Sequence, residues 1–267
     1  MSTESWAVAA PQTIDIEGVA GVTLRLQDGR AEVVTAPEAT GVRVEVLEIG
    51  AKPLQVVRDD TRLRIGYEST WYDSAFARLR SLTTTERAVV RVTVPVGTGV
   101  DVGTVEAHTD VTGGRQLSVK TVSGTVRVTG AAGPATLRSV SGDVAVSRHT
   151  GDVAVTTVSG ATALSGALAR VSLSTVSGRS TVTADAGASP MINGKTVSGA
   201  LDVKLPAGTA VNVKVRGASG QVVLDGSVLP SSGTTLVVDH SEHPAEGSNA
   251  AYLSATVTSA HVTIDRR

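Results

Sequence analysis

Apolar and polar residues alternate with a period of two through much of the chain, and the apolar positions are filled by valine, leucine and alanine. This alternation is the mark of half-buried β-strands. It predicts strands near residues 13–16, 22–26, 31–34, 42–47 and 63–67, and again near 236–238 and 262–264.

Between these regions the alternation is organised by a repeat. Thr121-Val122-Ser123-Gly124 returns as Ser139-Val140-Ser141-Gly142, Thr157-Val158-Ser159-Gly160, Thr175-Val176-Ser177-Gly178 and Thr196-Val197-Ser198-Gly199. The steps are 18, 18, 18 and 21 residues, and a weaker copy, Gly217-Ala218-Ser219-Gly220, follows. Gly133, Gly151 and Gly187 each stand nine residues after a repeat glycine. Each unit therefore reads as two short strands and two turns.

Aligned on one another, the copies form apolar columns. The tetrapeptide valines Val122, Val140, Val158, Val176 and Val197 make one, and they are expected to face inward. Val126, Val144 and Leu201 make a second, and Val128, Val146, Leu164, Val182 and Val203 a third. Val153 and Val171, then Leu137, Val155, Leu173 and Met191, belong to the second half of the unit. Arg127, Arg138, Asp202 and Lys204 are expected to face water.

The predicted fold is all-β: a β-solenoid of about six two-strand rungs, 18–21 residues each, flanked by an N-terminal β region and C-terminal capping strands. Residues 1–93 form the N-terminal region, 94–226 the repeats and 227–267 the closing strands. Rungs of this kind cannot bury their apolar side alone, so they need neighbours and covered ends. Val94-Pro95-Val96-Gly97-Thr98 leads into the array, and the similar Leu205-Pro206-Ala207-Gly208-Thr209 stands near its exit; proline and glycine mark both as turns.

The aromatic share is only 2%. Four of the six aromatic residues, Tyr67, Trp71, Tyr72 and Phe76, fall within ten positions. Asp73 or Ser74 could cap a short helix near 74–82. Three roles fit this stretch: a plug over the end of the solenoid, a docking patch for a partner protein, or a membrane-surface contact assisted by Arg78 and Arg80.

Charge and the remaining chemistry narrow the choice of function. The chain of 267 residues carries 24 basic and 25 acidic side chains with no basic block, which argues against a nucleic-acid partner. It has no cysteine, so neither disulfides nor thiolate metal sites can form. No apolar run approaches the roughly 20 residues of a membrane helix. Met1-Ser2-Thr3-Glu4-Ser5-Trp6 has no cationic start followed by an apolar segment, and the expected location is the cytoplasm.

Gly194-Lys195-Thr196 lacks the first glycine of a phosphate loop and lies in the repeat register. His240 and His243 with Asp239 and Glu242 are the one close histidine pair, in a polar stretch that reads better as a solvated turn than as a zinc site. Gly142-Asp143 and Gly151-Asp152 lack the full calcium nonapeptide. The hydroxyl ladder Thr121, Ser139, Thr157, Thr175 and Thr196 reads as corner residues bonded to neighbouring backbone, although an outward array could bind sugars or ice. No catalytic set, cofactor or metal is expected.

The Thr/Ser-Val-Ser-Gly units, the Pro-x-Gly-Thr turns and the β-rich leader together resemble the bacterial putative-adhesin family of β-strand-repeat proteins, from about Trp6 to Ile264. The resemblance implies a β-solenoid, no established catalytic activity, and for some relatives a link to cell-envelope stress. It transfers no site residue. The expected function is a non-enzymatic scaffold or protein-interaction module that binds a protein partner or itself, with an adhesin or carbohydrate-binding role as the alternative.

Overall fold

In a computed structural model the described residues are 3–67, 86–231, 235–244 and 249–267. Every regular element among them is a β-strand. The chain divides into two compact units, Met1–Ala131 and Ala132–Arg267.

The first unit contains β1 (Thr3–Val8), β2 (Gln12–Ile16), β3 (Gly21–Leu26), β4 (Asp28–Thr35), β5 (Val42–Ile49) and β6 (Leu54–Asp59). β7 (Arg62–Gly66), β8 (Arg87–Val94), β9 (Gly99–Thr104), β10 (His108–Thr112), β11 (Leu117–Thr121) and β12 (Val126–Thr129) follow. They form two ladders. One runs β1–β6–β7–β3–β9–β11 and the other β2–β5–β8–β4–β10–β12. From β7 and β8 inward the pairing is parallel; the outer strands pair antiparallel.

Parallel stacking therefore begins well before residue 94, with β3 and β4 already acting as a two-strand rung. The order is not sequential: β7 and β8 lie outside β3 and β4. Alternate residues such as Val22, Leu24, Ala31, Val33, Val100, Val102, Val126 and Val128 are buried.

The second unit contains β13 (Ala135–Ser139), β14 (Val144–Thr157), β15 (Thr162–Thr175), β16 (Arg179–Ala184) and β17 (Met191–Leu205). It ends with β18 (Ala210–Leu224), β19 (Ser227–Val228), β20 (Leu236–Ser241) and β21 (Ala250–Arg266). The long strands cover a whole repeat and contribute one half to each of two ladders. The first ladder is β13–β14–β15–β17–β21–β18–β20. The second is β14–β15–β16–β17–β21–β18–β19. All neighbours pair parallel except β20 and β19, which close on β18 antiparallel.

The last strand is an inner one. β21 lies between β17 and β18, in register with both, so the 262–264 segment sits inside the stack, whereas 236–238 lies in the edge strand β20.

Most expected columns are buried, including Val144, Val146, Leu164, Val182, Val203, Val153, Val171, Leu137, Val155 and Leu173. Two expectations are corrected. The tetrapeptide valines point outward: Val140, Val158, Val176 and Val197 are each 47% exposed, and Val122 is exposed as well. Leu173 and Thr175 both face in, so strict alternation turns Val176 out. Met191 is also exposed, because the three extra residues of the fourth step fall in the turn between β16 and β17. Leu173 is thereby paired with Gly194, while Met191 is paired with Arg170.

Candidate interaction surfaces

The repeat tetrapeptide builds the corner between the two ladders of the second unit. Its first residue, Ser139, Thr157, Thr175 or Thr196, is buried in register with its counterparts. The Thr157 and Thr175 hydroxyls each donate 3.0 Å to the carbonyl of the serine two residues on, closing the corner. Ser139 both donates to the Gly142 carbonyl and accepts from the Gly142 N–H.

The third residue ties one corner to the preceding one. Ser159 and Ser177 Oγ donate to the carbonyls of Val140 and Val158, both at 3.4 Å, and their backbone N–H groups bond the same carbonyls at 2.8 and 2.9 Å. The hydroxyl ladder is thus consumed by backbone partners. What reaches solvent between the hydroxyls is the valine.

The fourth residue must be glycine. At Gly178 φ is +124° and an added Cβ would stand 2.4 Å from the Gly160 carbonyl oxygen. Gly160 and Gly199 meet the preceding glycine carbonyl in the same way. Four valines at one rung spacing, about 4.8 Å, make a straight apolar ridge roughly 14 Å long on a corner held by hydrogen bonds.

Tyr67 belongs to the interior of the first unit. It is 2% exposed, its hydroxyl donates to the Arg87 carbonyl at 3.0 Å, and its phenol pKa is pushed up to about 12, first by burial and then by the nearby Glu86 carboxylate. Trp71, Tyr72 and Phe76, the other members of the aromatic cluster, and the helix expected near 74–82 lie outside the described residues.

Asp143, Asp152 and Glu242, three of the carboxylates singled out in the sequence, have structural partners. Asp143 Oδ1 accepts from the Ala161 N–H one rung away at 2.8 Å, and Asp152 Oδ2 pairs with Arg170 at 3.2 Å. Glu242 accepts from the Val211 N–H at 2.9 Å and from Arg266 at 2.7 Å, while His240 lies 3.4 Å from its second oxygen. Arg266 also forks onto Asp225 through Nε and Nη2. Lys195, in the phosphate-loop-like segment, projects from strand β17.

A second surface escaped the sequence reading. Met191, Tyr252 and Asn212 stand side by side on β17, β21 and β18, facing outward beside a shallow depression of about 400 Å³. Tyr252 was legible in principle: in Ala251-Tyr252-Leu253-Ser254 it alternates with buried neighbours.

A family model described as Toastrack DUF4097 matches residues 22–265, and the chain belongs to that family. No curated protein matches it. Among solved structures, a putative lipid binding protein from Parabacteroides distasonis is 11% identical with a TM-score of 0.49, over 98% of each chain. A putative cell adhesion protein from Clostridium sporogenes is 12% identical with a TM-score of 0.33, over 97% of this chain and 99% of that one. A putative adhesin from Bacteroides fragilis is 11% identical with a TM-score of 0.33, over 99% of this chain and 96% of that one.

Proposed function

We propose that the protein is a non-enzymatic interaction scaffold: a β-solenoid of about six rungs whose Thr/Ser-Val-Ser-Gly corners present a rigid apolar ridge to a second copy of the chain. The observation that carries this reading is the outward ladder Val140, Val158, Val176 and Val197. The ridge bears no charge along its line, so two copies can meet about a two-fold axis without like-charge repulsion. Its backbone is fixed by paired corner hydrogen bonds, which keeps the ordering cost of association low. Action in the cytoplasm, with a link to envelope stress, completes the proposal.

Light scattering and negative-stain microscopy across a concentration series test it. The wild type is expected to associate with rising concentration. A variant carrying serine at 140, 158, 176 and 197 is expected to remain monomeric with a thermal midpoint close to wild type, since exposed positions change stability by only about 0.5 kcal/mol each. A wild type that stays monomeric throughout, or a variant that associates equally well, would overturn the reading.

A further inference from the structure

We propose that the outer face of β17, β21, β18 and β20 is a glycan-binding site that stacks a neutral pyranose on Tyr252. The proposal goes beyond the scaffold reading and does not depend on the valine ridge.

Register fixes the layout. Met191, Tyr252 and Asn212 form one row across three neighbouring strands. Two residues along, Asn193, Ser254, Lys214 and Asp239 form the next row, with Lys214 directly opposite Asp239. Neighbours in such a grid stand about 5 Å apart across strands and about 7 Å along them. Tyr252 is 52% exposed and Met191 50%, so about half the surface of each is within reach of a ligand. The depression of about 400 Å³ that these residues help to line lies in the range of about 300–1,000 Å³ typical of small-molecule clefts.

The polar groups select the ligand. No side-chain hydrogen bond or ion pair joins Asn193, Asn212, Lys214 or Asp239 to another described residue. Each amide offers both donor and acceptor, the carboxylate accepts and the ammonium donates. That mixture matches hydroxyl groups, each of which also donates and accepts. Lys214 and Asp239 cancel in charge, which favours a neutral ligand over an anionic one. The apolar part is one ring and one thioether, the footprint of a sugar's C–H face and too small for the centre of a protein interface.

The test is affinity electrophoresis of the full chain through gels containing neutral polysaccharides (glucans, mannans, galactans) or acidic ones (polygalacturonate, hyaluronate). At least one neutral polymer is expected to retard the protein, with little effect of added salt. Tyr252→Ala is expected to weaken this binding at least about tenfold, and Tyr252→Phe, which keeps the ring, to retain most of it. Circular dichroism melts should show both variants folded, since the side chain is exposed. Retardation by no neutral polymer, retardation that Tyr252→Ala leaves intact, or salt-sensitive retardation by acidic polymers alone would overturn the proposal.

Discussion

At Gly178 a single hydrogen atom decides whether two rungs can stack. The residue sits at φ +124°, and any Cβ would press into the Gly160 carbonyl. Gly178→Ala therefore combines left-handed strain with a backbone clash that cannot relax without separating the strands. It is expected to destabilise the second unit by roughly 2–4 kcal/mol, measured by urea denaturation, whereas Val176→Ala two residues away is expected to cost about 0.5 kcal/mol or less. The repeat made the glycine conspicuous, but it made the valine equally so, and the two are repeated for opposite reasons. One is confined by its neighbours and the other is displayed. Residue identity could not separate them; the period of two could, because Leu173, Thr175 and Val176 cannot all face inward.

Among the elements, β21 shows how an end is secured. It runs parallel between β17 and β18, and Arg266 near its C-terminus joins the turn at Asp225 to Glu242 beyond β20. Bonding to Arg266 holds the Asp225 carboxyl below its usual value, against a smaller effect of burial. Burial alone would raise the Glu242 carboxyl, but the Val211 N–H, His240 and Arg266 together outweigh it and hold it low.

Groups whose folded pKa is depressed contribute stability above their unfolded pKa, near 4, and lose it as pH falls through the folded value. The second unit should therefore weaken on acidification below about pH 4. Arg266→Ala should lower stability by about 1–2 kcal/mol at neutral pH, the low end for charged hydrogen bonds because the site is partly solvated. It should also flatten the acid limb of a plot of melting temperature against pH; an unchanged limb would assign the acid sensitivity elsewhere.

The sequence marks these strands by alternation, yet alternation reports only which side of a strand is buried. It says nothing about which strands are neighbours, so the placement of β21 between β17 and β18 could not be read. Met191 shows the same limit within one repeat. A shift of three residues in a turn exchanges a buried position for an exposed one, and nothing within the strand signals the change.

For the molecule as a whole, the repeat made the all-β class and the parallel stacking of the second unit legible. In the first unit only Thr121-Val122-Ser123-Gly124, between β11 and β12, announces the stack. There β3 with β4 and β7 with β8 carry no shared tetrapeptide, and the parallel register is created by pairing between segments far apart in sequence. The surfaces were harder to read than the fold. The aromatic cluster drew attention because aromatics are rare, but its first member, Tyr67, is a core residue. The lone Tyr252 is the ring exposed on a described strand. Both outward features, the valine ridge and the Tyr252 grid, arise from strand stacking that places like positions of successive rungs side by side.

The orientation of the corners is the claim on which the scaffold reading stands, and the absence of native cysteine makes it directly measurable. Single cysteines placed at Val176 and at Val171 would be alkylated by a maleimide under native conditions. The outward ridge predicts that Val176→Cys reacts as an exposed thiol and Val171→Cys at least about tenfold more slowly, limited by local opening of the stack. Equal rates, or protection at 176, would contradict it.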